Sequence, residues 1–146
     1  MNVPLLLPRR WRWSTDIDTG LLLSARPPRA GLSGVLPDVR LTVVPGEPDG
    51  FEWVDDDLED LADSVVDFLL EDEDQYDLGD HEVAYRRFAH RRGAHDLLCE
   101  RWAWELSTGL FLIDATCARE DYADFCEVFD DIAASFEPDE WDVFAA

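Results

Sequence analysis

The feature that most constrains this chain is its excess of acidic side chains. Thirty-four aspartates and glutamates stand against twelve arginines and no lysine in 146 residues, which gives a formal net charge of −22. Unpaired carboxylates are rarely buried, so most of them must cover the surface. Since 47% of the residues are nonetheless hydrophobic, we expect elements that each bury one face and expose an acidic one.

The same charge limits the partners. A surface this negative repels nucleic-acid phosphates and anionic lipid headgroups, so we expect no nucleic-acid partner and no membrane partner. The absence of lysine and the single asparagine, Asn2, indicate a GC-rich genome such as that of an actinobacterium, because lysine and asparagine codons are AT-rich. A salt-adapted host would favour the same acidic surface, and both explanations stay open.

The length and the cysteines indicate one intracellular domain. Residues 1–146 fall in the size range of a single domain that needs no metal or disulfide staple. Cys99, Cys117 and Cys126 have no CxxC spacing and do not resemble a secreted disulfide framework. The N-terminal apolar run is short, its charges follow it, and no run approaches the ~20 apolar residues of a membrane span, so we expect a cytoplasmic location.

Alternating apolar residues predict five strands. Residues 21–25 and 39–43 alternate in this way, and the glycine-containing loop 29–37 between them predicts a hairpin. Residues 83–90, 97–106 and 110–116 form three further runs, with turns at Gly93-Ala94 and Thr108-Gly109. These three runs predict an antiparallel meander.

Two amphipathic helices are predicted. The first starts at Asp55 and its helical spacing continues to Leu69, so the acidic residues 71–74 are interpreted as the helix unwinding into a solvated loop. The second has an apolar stripe from Tyr122 to Phe136 and ends before Pro138. The order of elements predicts an α+β fold, with an antiparallel sheet of about five to six strands and helices packed on it.

Six tryptophans are many for this length. Trp102 and Trp104 fall on one face of a predicted strand and are expected in the core beneath the helices. Trp141 and Phe144, in the tail, are expected to pack onto the body of the domain.

Residues 86–95 hold six of the chain's fifteen arginines and histidines. One interpretation is a positive patch for an acidic partner or a phosphate. The other, which we favour, is a hairpin whose arginines offset nearby acids, with Arg86 roughly opposite Glu100. Such cross-strand pairs contribute only a few tenths of a kcal/mol.

No pattern of residues predicts a catalytic, cofactor or metal site. The chain has no GxSxG, GxGxxG, Walker or HExxH motif. His90, His95 and Cys99 match no zinc spacing and have no evident fourth ligand. We therefore expect no catalytic residue, no cofactor and no metal, and a hydrolase would need activity that depends on Cys99 or His95.

The predicted meander leaves one mixed face as the candidate partner-binding site. Tyr85 and Arg87 on one strand are expected to share it with Arg101, Ala103 and Glu105 on the next. If the helices cover only the other side of the sheet, this face is the docking surface for a protein partner.

The last third of the chain resembles a known superfamily. Residues 109–117, the pair Asp121-Tyr122, and residues 129–138 with their Ile132-x-x-Ser135-Phe136 stretch resemble the final strand and helix of PsbP-like proteins. The Pro8-x-x-Trp11 turn also fits, and the bacterial LpqN/DcrB-like branch is the most similar. The matching positions are structural, so no functional residue carries over.

The resemblance implies an antiparallel sheet with packed helices and a non-enzymatic binding role. Members of the superfamily include extrinsic photosystem II subunits, a Ran-binding nuclear import factor and chaperones for type VI secretion effectors. The branch includes lipoproteins, and this chain shows neither a leader nor a lipobox cysteine, which argues against a cell-envelope role.

These observations favour a non-enzymatic protein-binding module, an adaptor or chaperone with a role connected to secretion. The alternative is an acidic inhibitor, such as an immunity protein or a nucleic-acid mimic. Steep weakening of binding with salt would favour the inhibitor, and salt-tolerant binding would favour an apolar groove. A homodimer stays open.

Overall fold

The computed structural model describes residues 5–16, 18, 20–45 and 50–139. Seven strands and two α-helices follow one another within these residues, and a 3₁₀ turn at Arg119–Asp121 leads into the second helix. In chain order the elements are β1 Arg12–Asp16, β2 Leu21–Arg26, β3 Asp38–Pro45, α1 Glu52–Ser64, β4 Val66–Leu78, β5 His81–Arg92, β6 His95–Leu106, β7 Gly109–Ala118 and α2 Tyr122–Ala134.

The seven strands form one antiparallel sheet in the order β1-β2-β3-β7-β6-β5-β4. Two meanders, β1 to β3 and β4 to β7, meet where β3 pairs with β7 from Asp38↔Thr116 to Pro45↔Gly109. Gly109 makes this seam possible, because a Cβ at its position would collide with the carbonyl oxygen of Val44. β1 and β4 are the two edges of the sheet.

One helix packs on each side of the sheet. On the α2 face, Phe129, Ile132 and Phe136 pack over Trp102 and Trp104, which are each 1% exposed. On the α1 face, Val54 and Leu58 form a smaller core with apolar residues of β5, β6 and β7, namely Ala84, Phe88, Cys99, Ala103, Leu110 and Leu112. The prediction that Trp102 and Trp104 lie beneath a helix is confirmed.

The predicted α+β class, the β2–β3 hairpin, the three-strand meander and the last helix are confirmed. The count of five to six strands was too low by one or two, because β1 and β4 were not foreseen. β1 has no apolar alternation to reveal it, and all five of its residues are exposed. The turn before it is present, closed by the Trp11 amide donating to the Pro8 carbonyl at 3.3 Å.

The predicted extent of the first helix was wrong. The helix ends at Ser64, and residues 66–78 form the edge strand β4 instead of a helix end and a loop. Its acidic run faces arginines directly across the ladder, with Asp72 opposite Arg87 and Glu73 opposite Arg86. Cross-strand attraction and the free edge of β5 therefore override the helical spacing that continues to Leu69.

No helix in the described ranges is long and apolar enough to cross a membrane. Trp141 and Phe144, whose packing was predicted, lie outside the described residues.

Candidate functional site

The four predicted partner-binding residues do not share a face. The two-residue turn at Gly93-Ala94 pairs Arg92 with His95, which places Tyr85 opposite Trp102 and Arg87 opposite Glu100. Arg86, not Arg87, lies opposite Arg101. The predicted register was one residue off, and a one-residue slip moves side chains to the other face. The α2 face therefore holds Tyr85 and Arg87, and the α1 face holds Arg101 and Glu105.

On the α2 face, Tyr85 and Arg87 belong to a polar cluster in which Tyr85 is buried and Arg87 is half-buried. The Tyr85 hydroxyl donates to the carboxylate of Glu100, which is 2% exposed. Burial raises the pKa of Glu100 and that of Tyr85. Arg87 forms an ion pair with Glu71 at 3.5 Å, and its guanidinium lies 6.0 Å from the centre of the Tyr122 ring. These side chains contact one another, and Tyr85 in particular is too buried to meet a partner directly.

On the α1 face, polar side chains form a row that crosses all seven strands. Each member is the register partner of the next. From one edge of the sheet to the other, this polar row consists of Ser14, Ser24, Arg40, Asp114, Arg101, Arg86 and Glu73.

Two arginines of the polar row hold α1 on the sheet. Arg101 donates to both oxygens of Asp114 at 2.7 and 3.1 Å and to Asp57 of α1 at 2.6 Å. Arg86 donates to Asp55 of α1 at 3.0 Å. Burial alone would lower the pKa of Arg101, but the two carboxylates more than offset it and the net pKa is raised, so the guanidinium stays charged.

These contacts confirm the charge-offsetting interpretation for the hairpin arginines Arg86 and Arg87. Glu105, the fourth predicted residue, is exposed near the end of β6. A partner-binding role for the four residues stays a prediction, but they cannot act as one surface.

Beside α1, the sheet forms a groove of about 250 Å³ in which His90 meets Cys99. The distance from the Cys99 sulfur to Nε2 of His90 is 3.8 Å, and the Thr116 hydroxyl donates to the same sulfur at 3.4 Å. Leu36 and Leu61 also line the groove. His95, which the sequence analysis considered together with His90 and Cys99, is exposed at the start of β6.

The chemistry of this contact differs from that of a catalytic cysteine–histidine pair. Burial raises the pKa of Cys99 to about 11 and lowers the pKa of His90. At neutral pH the pair is therefore a thiol beside an uncharged imidazole, whereas nucleophilic cysteines are thiolates held by positive charge. The geometry favours a packed polar contact.

A second cleft, of about 450 Å³, lies at the β1 edge of the sheet. The basic cleft, as we name it, is lined by residues of β1, β2 and the loop that follows β2. These residues are Arg12, Trp13, Ser14, Ser24, Arg26, Pro27, Pro28 and Leu36. Sequence reasoning did not identify it.

The loop between β2 and β3 is fixed to the start of α2. The Asp121 carboxylate, fully buried, accepts from the Ser33 hydroxyl and, at 3.4 Å, from the Ser33 amide. A Cβ at Gly31 would lie 2.7 Å from this carboxylate, so the close approach requires glycine there. Asp121 thereby positions the loop that carries Leu36 to the rim of the basic cleft.

Charge segregation along the chain was the signal that could have revealed the cleft. Residues 1–45 contain six arginines and three aspartates, a net charge of +3, whereas residues 46–146 contain six arginines and 31 acids, a net charge of −25. All six early arginines are exposed. In the described part of the chain, only one of them, Arg26, has a carboxylate within 4.0 Å.

The described residues contain no group of three or more histidines, cysteines or acids that could hold a metal ion. The three cysteines are unpaired, with Cys99 and Cys117 buried and Cys126 half-buried.

Known structures identify the fold. PA94, a Pseudomonas aeruginosa protein of unknown function proposed to be a regulator, has a TM-score of 0.69 at 13% identity, over 90% of this chain and 88% of that one. LpqN, involved in cell envelope biogenesis of Mycobacterium tuberculosis, has a TM-score of 0.66 at 12% identity, over 88% and 78%. The PsbP of Synechocystis has a TM-score of 0.60 at 15% identity, over 91% and 84%.

These likenesses establish a PsbP-like α+β fold, with LpqN among its neighbours, as the sequence resemblance implied. At 12–15% identity they concern the fold alone. No protein-family model matches the chain, and no curated protein sequence does.

Replacing Asp57 by Asn should loosen α1. The change removes one of two carboxylates from Arg101, whose residue exposure is only 8%. We expect the free energy of unfolding in urea to fall by about 1.5–3 kcal/mol, since hydrogen bonds to charged groups contribute in that range. Asp56→Asn, an exposed neighbour on the same helix, should change it by less than about 0.5 kcal/mol. Equal decreases in the free energy of unfolding for the two variants would contradict the role assigned to Asp57.

Thiol labelling tests the environment of the His90–Cys99 contact. At pH 7.5 a disulfide reagent should modify Cys126 first, and Cys126→Ser should remove the fast phase, because burial raises the pKa of Cys99 to about 11 and that of Cys117 to about 12. Because the pKa of Cys99 is higher in the folded protein than the ordinary thiol value, this thiol favours the folded state below pH 9. That contribution to stability is lost as the pH rises towards 11. Fast labelling of Cys99 in the folded protein would contradict this assignment.

Proposed function

We propose that this protein is a non-enzymatic protein-binding module, an adaptor or chaperone that works in the cytoplasm. The supporting observation is where its exposed apolar side chains lie. In the described ranges, five of the seven large exposed apolar residues lie at the two sheet edges: Trp13 on β1, Leu36 in the cleft beside it, and Val66, Leu69 and Leu70 on β4. The other two lie elsewhere, Leu6 beside Ser135 at the end of α2 and Leu32 in the loop between β2 and β3.

The edges are also where a protein partner can form new backbone hydrogen bonds. Helices and buried cores occupy much of both faces, whereas an edge strand offers unpaired amide and carbonyl groups. Addition of an extended segment to such an edge is a common mode of peptide recognition. Both edge strands have irregular pairing, with one register shift in β1, between Ser14 and Asp16, and two in β4. We choose β1 because a cleft of about 450 Å³ lies beside it and can take the side chains of an added segment.

A non-enzymatic role is further supported by the cysteine–histidine contact. Its uncharged state at neutral pH gives no activated nucleophile, and the other two histidines lie apart from it. His81 contacts Asp139 at 3.0 Å, and His95 is exposed. The fold neighbours include a protein of unknown function and one involved in cell envelope biogenesis, which is compatible with a binding role.

The alternative, an acidic inhibitor or nucleic-acid mimic, is favoured by a different observation. Residues 46–146 carry a net charge of −25, and the outer side of α1 and the edge strand β4 expose many of these acids. A partner held by this surface would be basic, and its binding would weaken steeply with salt.

Affinity capture from cells of the native host, with mild crosslinking, tests the proposal. Trp13→Ser/Leu36→Ser should lose a partner that the wild type retains, because it removes the apolar contacts beside β1. Val66→Ser/Leu69→Ser is the matched control, since it also removes two exposed apolar side chains, at the other edge. The captured partner is then purified and titrated by calorimetry.

Retention by the wild type and the control, and loss from the β1 variant, are the expected results. Identical capture by all three proteins would contradict a role for the β1 edge. If the captured partner dissociates when salt is added, and neither apolar variant changes its binding, the acidic alternative would be established instead.

A further inference from the structure

Two arginines of the basic cleft are held side by side by the sheet. Arg12 on β1 and Arg26 on β2 are register partners, so their Cβ atoms project from the same face about 5 Å apart. Like charges in this arrangement destabilise a sheet. Asp38 approaches Arg26 at 3.7 Å, and in the described part of the chain no carboxylate lies within 4.0 Å of Arg12. The pair therefore has spare capacity for an anion.

Hydroxyl donors lie next to the arginine pair. Ser14 and Ser24 are also register partners, two residues further along each strand and on the same face. Two guanidinium groups and two hydroxyls thus line one cleft. The rest of its wall is apolar, formed by Trp13, Pro27, Pro28 and Leu36. Guanidinium groups bind carboxylates through paired hydrogen bonds, which makes this donor set suited to an acidic side chain beside an apolar one.

The cleft lies beside the outer edge of β1, which pairs with no further strand of the described residues. A segment that adds to this edge as an extended strand places every second side chain on the α1 face, where Arg12 projects. Glutamates at alternate positions would then reach the arginines, while the backbone pairs with β1. This arrangement therefore favours a segment that is extended and has acidic residues at alternate positions.

We infer that the basic cleft and the β1 edge together bind an extended acidic peptide segment of a partner protein. This inference rests on the proposed function and specifies the chemistry of the partner. The protein's own charge does not prevent it, because at physiological ionic strength charges are screened over about 8 Å and a short segment senses mainly the nearby arginines. A nucleic acid extends much further and meets the surrounding acids, which carry most of the net charge of −22.

Fluorescence anisotropy with two labelled octapeptides tests the inference. The probe alternates glutamate and threonine, and its control alternates glutamine and threonine. The glutamate peptide should bind and weaken with added salt, and the glutamine peptide should bind at least tenfold more weakly. Arg12→Ala/Arg26→Ala should weaken glutamate-peptide binding about tenfold, as expected for loss of two partly exposed ion pairs.

The matched control is Arg91→Ala/Arg92→Ala, which removes two exposed arginines at the β5–β6 turn and should leave the affinity unchanged. Equal weakening by both double variants would overturn the inference, since only net charge would then matter. Tighter binding of a single-stranded oligonucleotide than of the peptide would also overturn the inference. The same holds if sedimentation shows that a second copy of this chain occupies the cleft and excludes the peptide.

Failure of this inference is separable from failure of the proposed function. If Trp13→Ser/Leu36→Ser abolishes capture of a partner while the glutamate peptide does not bind, the edge is a binding site and its ligand is not acidic. If neither experiment shows dependence on the β1 edge, both the inference and the proposed edge site fall.

Discussion

The arrangement of this molecule depends on one buried cation, Arg101. Its guanidinium joins β6, β7 and α1 by donating to Asp114 on the sheet and to Asp57 on the helix. Arg86 repeats the arrangement one strand away, with Asp55. A buried guanidinium that lost these partners would carry a large desolvation cost, so α1 is held over the β4–β7 half of the sheet.

That placement determines which surfaces remain open. α1 packs on β5, β6 and β7, and no residue of it lines the basic cleft at β1 and β2. The polar row continues past the end of the helix as Arg40, Ser24 and Ser14, now without the acids that α1 supplies elsewhere. The polar row therefore has a structural role where α1 covers it. Where α1 does not cover the row, its side chains are available for binding.

Most of the fold could be predicted because period-two and helical patterns are strong in the core. β2, β3 and α2 each bury one face, and the strands of the β5–β7 meander are apolar-rich runs separated by turns and buried on both faces, so their residues mark them. β4 could not be predicted, because residues 65–70 fit both a helix and a strand. Only the pairing of β4 with Arg86 and Arg87 decides between the two. The prediction that the four candidate-site residues share one face was wrong for a related reason. Its register depended on one turn, and a slip of a single residue distributed Tyr85, Arg87, Arg101 and Glu105 over two faces.

The central claim is that a helix tethered by Arg86 and Arg101 leaves the β1–β3 half of its face as a binding surface for acidic segments. Backbone amide chemical shifts of the ¹⁵N-labelled protein, followed during titration with the glutamate-containing peptide, test it most directly. We predict that the largest changes fall in β1, β2 and the first residues of β3, with β4 and α2 unaffected. Changes centred on α2 or β4, or no changes at saturating peptide, would contradict it.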